Sequence, residues 1–237
     1  MILKLISLAA TASLAVTGAI AQPSMPVASA TQDGKTLVVP QAQKSKGSVY
    51  YALTGRDRQI YFESNAPLED IKGQSNKVIG YAVADPSSSA KLVAGEWHLP
   101  VDSMKTGIEL RDEHLASSDW LDAASYPNII VQVRDMKNVR QTKSSAAFTS
   151  FTGTLVADVT LHGVTKTLEI PATSVTMMNE SEATRKVANG DLMAVRSSFS
   201  VKLAEYGISH PVIGDKVANE VEIDVSLYLS TQPPARQ

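Results

Sequence analysis

The chain has 237 residues, 22 Lys and Arg against 24 Asp and Glu, 5% aromatic residues and no cysteine. Near-balanced charge without a basic cluster leaves no electrostatic footprint for a nucleic-acid partner. The missing thiols exclude disulfides, thiolate metal sites and thiol chemistry.

In chain order, MILKLISLAATASLAVTGAIA places one early cation (Lys4) before an apolar stretch and the small residues Ala19 and Ala21. That order is a secretory signal peptide over residues 1–21, with Gln22 as the mature start and a cut after Ala30 as the alternative. The expected product is periplasmic or secreted, with no integral membrane segment after cleavage. Residues 22–47 are rich in Pro, Ala, Ser, Gln and Lys apart from Leu37-Val38-Val39. They read as a flexible leader or a loosely attached edge.

From residue 48 to 231 the dominant period is two, and a single domain is expected there. The clearest case is NEVEIDVSLYLS, which puts Val221, Ile223, Val225, Leu227 and Leu229 on one face. Strict alternation of this kind marks a half-buried antiparallel strand. TLVADVTL (154–161) and SSFSVKL (197–203) repeat it. His162-Gly163 and Asn189-Gly190-Asp191 supply turn chemistry. Weaker strands are expected at 48–53, 59–63, 77–84, 92–101, 128–134 and 164–174. Residues 109–125 break the period and read as short helical turns, before Tyr126-Pro127 forces an extended exit. Residues 232–237 are expected to form a disordered tail. The fold class is all-β: an antiparallel barrel or sandwich of about eight strands with one helical insertion around 109–125.

The chemistry-bearing residues are few. No Walker glycines, G-x-G-x-x-G, G-x-S-x-G or H-E-x-x-H occurs, and His98, His114, His162 and His210 lie one per segment. No cofactor or metal is expected, and the chain reads as a non-enzyme. In RDEHLASSDWLDAASYP, Arg111, Asp112, His114 and Asp119 form a structural latch in which Arg111 meets Asp112, Asp119 or Asp122 in a buried pair. The competing reading makes Asp112 and His114 a metal-dependent or hydrolytic site. His162 and His210 are expected in surface turns, and Trp97 rather than His98 should face inward.

A barrel of about eight strands is wide enough either to be filled by side chains or to hold one small ligand. Aliphatic inward faces suit an apolar, lipid-like guest. The expected walls are Phe62, Trp97, Trp120, Leu155, Val159, Phe199, Val201 and Ile223. Trp120, with Leu121, also suits a core position under the barrel. A filled barrel acting as a stress-related or protein-interaction module is the alternative, and a homodimer is left open.

These residues resemble a known family. VDSMKTGIELRDEHLASSDWLDAASYPNI is similar to the signature of the YceI-like family. The matching positions are Ser103, Thr106, Gly107, Arg111, Asp112, His114, Leu115, Asp119, Trp120, Tyr126 and Pro127. FTGTLVADVTLHGVTKTLEIP resembles the family's Gly-x-Leu strand and the hairpin after it, and the end of the chain resembles its closing strand pair. Trp120 stands where the family offers Phe, and Ala66-Pro67-Leu68-Glu69 departs from its usual stretch. The resemblance implies a lipocalin-like barrel, secreted or periplasmic, that holds a long-chain isoprenoid or amphiphilic lipid.

Overall fold

The computed structural model describes residues 36–55, 58–85 and 91–234. The expected signal peptide, both cleavage points and residues 235–237 lie outside them. Ten strands form one antiparallel sheet: β1 (Ser48–Ala52), β2 (Ile60–Asn65), β3 (Asp70–Ser75), β4 (Ile79–Ala84), β5 (Leu92–Pro100), β6 (Asn128–Ser144), β7 (Phe148–Leu161), β8 (Val164–Met178), β9 (Leu192–Lys202) and β10 (Glu220–Ser230). Eight of them close on themselves in the order β1-β4-β5-β6-β7-β8-β9-β10, with β10 returning to β1. The β2–β3 hairpin extends the wall from β10. β1 and β2 lie end to end along β10, which pairs with β1 at Leu229–Ser230 and with β2 at Glu222–Val225. The lipocalin-like expectation holds.

The alternating sequence fixes the inward faces. Directly opposed residues of antiparallel strands point to the same side. One row crosses β2, β10 and β9 as Phe62, Ile223 and Phe199. A second crosses β5, β6 and β7 as Trp97, Val131 and Val159. On the outer face, Asp158 accepts hydrogen bonds from Arg134 Nε and Thr167 Oγ1, each at 2.7 Å, and ties β6, β7 and β8 together.

The barrel is not the same at its two ends. Along β10 the inward Leu227 and Leu229 are buried, whereas Val221, Ile223 and Val225 are only half-buried. Along β9 Met193 and Val195 are buried, whereas Ser197 and Phe199 are half-buried. One end is therefore packed and the other encloses space. The wall also parts at the open end, because β8 and β9 pair only between Ser174–Met178 and Leu192–Arg196.

Two segments take a more definite form than the sequence prescribes. Within the stretch expected as a leader, Leu37 and Val39 are buried on the outer face of β4 and β5 against Ile79, Tyr81, Val83 and Ala94, followed by one helical turn, α1 (Gln41–Lys44). The apolar patch supplies enough burial to hold the described part of that segment on the barrel. The insertion is helical only over α2 (Glu109–Ala116), after which hydrogen-bonded turns lead to Tyr126. A further turn, α3 (Glu182–Arg185), is closed by a Ser181–Thr184 capping box. No helix among the described residues is long and apolar enough to cross a membrane.

Candidate functional site

Three segments meet around the open end. β2 and its turn into β3 are joined to the 210–219 loop by Leu68 N–H donating to Asp215 O at 2.9 Å and Ala218 N–H donating to Ser64 Oγ at 2.8 Å. The same turn is joined to α2 by the Arg111–Glu69 ion pair. The third contact is Trp120, stacked on His210 with ring centroids 4.8 Å apart. Below the insertion, Tyr126 meets His162 edge-on at 5.4 Å, and His162 Nδ1 lies 3.3 Å from Tyr206 O. His162 and His210 thus hold the insertion down; they are not plain surface turn residues.

Between these segments and the barrel wall lie two adjoining cavities. The outer one, about 240 Å³, is lined by the insertion, the β2–β3 hairpin and the 203–217 segment. The inner one, about 110 Å³, lies within the strands. Phe62, Met104, Ile129, Leu161, Val201 and Ile223 line both and form the waist between them. Apart from the Trp97 indole, the inner compartment's polar lining is Ser197 alone. Gly73 of β3 makes room for the Phe62 ring, since a Cβ there would sit 2.1 Å from it. A barrel filled by its own side chains therefore describes one end only.

All eight residues expected as walls lie on this interior. Trp97, Leu155, Val159 and Phe199 line the inner compartment, Trp120 the outer, and Phe62, Val201 and Ile223 both. Trp97 faces in, as its parity requires, and His98 is buried on the outer face with its Nε2 2.8 Å from Glu96 Oε1. Sequence reasoning missed Met104, Ile208, Val212, Lys216 and Val217, which sit in segments without a period.

The expected latch is rearranged. Arg111 pairs with Glu69, 42 residues away, and not with Asp112, Asp119 or Asp122. The pair is partly exposed, with side-chain accessibilities of 27% and 37%, and not buried. Asp112 instead accepts hydrogen bonds from Thr106 N–H and Thr106 Oγ1, both at 2.7 Å, with Lys105 Nζ at 3.8 Å. Burial raises its carboxyl pKa, but the Thr106 bonds and the charges of Lys105 and Arg111 outweigh that and leave it below the ordinary value. Asp119 is exposed. His114 is exposed and lines the mouth of the outer compartment. With its carboxylate committed to Thr106, Asp112 does not orient His114 as a catalytic base would require. No cluster of His, Asp and Glu able to hold a metal occurs among the described residues.

Residues 51–229 match the YceI-like domain family. The chain belongs to the YceI-like family. Solved structures with the same fold include Burkholderia cenocepacia BcnA, at 16% identity and TM-score 0.52, covering 72% of this chain and 94% of that one. A polyisoprenoid-binding domain from Saccharophagus degradans, implicated in plant cell wall breakdown, matches at 14% identity and TM-score 0.53, over 78% of this chain and 99% of its own. The Campylobacter jejuni YceI protein matches at 14% and 0.50, over 69% and 86%. No curated protein gives a significant match. At these identities the likeness to solved structures is one of fold, and that fold is the YceI-like barrel.

Proposed function

We propose that this YceI-like protein binds a lipid-like amphiphile outside the cytoplasm, with the apolar chain running from the outer compartment through the waist into the inner one. The observation that carries the reading is the half-burial of inward Val221, Ile223 and Val225 on a strand whose inward Leu227 and Leu229 are buried. Apolar side chains lining an unfilled space are stabilised when an apolar chain fills it and takes their surface out of contact with water. The polyisoprenoid-binding neighbour and the signal-like residues 1–21 support the ligand class and the compartment respectively.

The two tryptophans are built-in probes, since the chain has no others and one lines each compartment. Titration with an isoprenoid alcohol should change the emission of both. In Trp97→Phe and Trp120→Phe the remaining tryptophan should still report saturable binding, one from each compartment. Emission that stays constant through a saturating titration would end this reading.

A further inference from the structure

The polar lining of the outer compartment is nearly all committed. Ser64 Oγ accepts from Ala218 N–H, Glu69 and Arg111 hold each other, and Thr106 Oγ1 donates to Asp112. What remains is His114 on α2 and Lys216 on the 210–219 loop. Lys216 is exposed and has no acidic partner among the described residues. Its position is nonetheless fixed: Lys216 N–H donates to Val212 O at 2.9 Å, and Gly214 N–H donates to Val217 O at 2.7 Å. The loop is further pinned to β2 and its turn into β3 through Asp215 O and Ala218 N–H. A free ammonium thus stands at the rim of an aliphatic cavity, and a free imidazole lines the same compartment from another element.

Resting on the binding reading above, we propose that the ligand is an amphiphile with an anionic end, its carboxylate or phosphate held at the mouth by Lys216 and assisted by His114. An apolar chain in the barrel brings its terminal group to the outer compartment, because the inner one offers almost nothing polar. An anionic end that docks on Lys216 keeps its charge half in water, so desolvation is modest. The contact is charge-assisted and stronger than one to a neutral hydroxyl.

Dodecanoate, dodecyl phosphate and dodecanol share one chain and differ in the end group, and tryptophan emission gives the affinity of each. The wild type should bind the two anions about tenfold more tightly than the alcohol, as one charge-assisted hydrogen bond allows. The preference should shrink in high salt. Lys216→Gln should bring the anions down to the alcohol's affinity and leave the alcohol unchanged, Lys216→Arg should keep the preference, and His114→Gln should reduce it. Lys105→Gln, which removes the same charge from a lysine that does not line the cavity, should have no effect. The more tightly held anion identifies the source, free carboxylate or phosphorylated lipid. Equal binding of all three chains, or a preference that survives Lys216→Gln, overturns the inference and leaves the binding reading standing. If no chain binds, both fail.

Discussion

At the scale of single residues, Asp112 and Arg111 sit side by side and their substitution has different consequences. Asp112 is nearly enclosed, with 12% of its side chain accessible, and satisfies two donors of Thr106. Asp112→Ala leaves the partly buried Thr106 amide and hydroxyl without their acceptor and should cost about 1–3 kcal/mol at neutral pH. The sign of the pH dependence follows from its lowered pKa. The unfolded chain takes up this proton near the ordinary value of about 3.9, and the folded chain does so only at lower pH. The carboxylate's contribution is complete above the ordinary value and is lost as pH falls through the folded one. Urea melts of wild type and variant should therefore converge in acid. Arg111 has a partly exposed partner, so Arg111→Lys should cost about 1 kcal/mol or less. A double-mutant cycle with Glu69→Gln measures the coupling. A loss of about 3–5 kcal/mol, as the buried pair expected from the sequence would give, should not be observed.

At the scale of elements, the β7–β8 hairpin shows a turn that its sequence encodes in full. His162 and Gly163 have φ of 50° and 73°, and Leu161 pairs with Val164 across them, which makes a two-residue connection with both central residues left-handed. Glycine is required twice over at 163: a Cβ there would lie 2.5 Å from the Tyr126 ring. Gly163→Ala should destabilise by more than the roughly 1–2 kcal/mol of left-handed strain alone, and should free the insertion that Tyr126 anchors. The clean alternation of β7, β9 and β10 was legible because each inward position carries its own apolar side chain. β3 was not legible, since it faces inward with Gly73 and the Phe62 ring of its neighbour covers it. The far half of β6, Asp135–Ser144, lies beyond the strand expected at 128–134 and is held as a strand by backbone pairing with β7, across three register shifts. The part of the site on strands was likewise legible. The part on the 203–217 segment was not, because irregular backbone has no period to say which side chains face in. The gap between β8 and β9 has a separate consequence. Amides of residues 197–202 that point away from β10 lack a strand partner on that side, so hydrogen exchange there should outpace exchange at residues 192–196.

At the scale of the whole molecule, the barrel divides its two tasks between its ends. The packed end has inward side chains that touch on all sides, and Leu229 at 0% exposure is typical of it. The open end has side chains of the same chemistry that line space, and Ile223 on the same strand faces both compartments. Truncation should separate stability from binding along this one strand. Leu229→Ala removes contacts and leaves a void in a packed region, which should cost about 2–5 kcal/mol. Its effect on ligand affinity should be small, because Leu229 lines neither compartment. Ile223→Ala enlarges a space that already exists, so less packing is lost and its cost should fall below that of Leu229→Ala. Ligand affinity should weaken instead, since the truncated side chain forms part of the waist. Chemical denaturation and fluorescence titration of the two variants give the four numbers needed. Equal destabilisation by both would mean that the open end is as tightly packed as the closed one, and the cavity would lose its standing as a binding site.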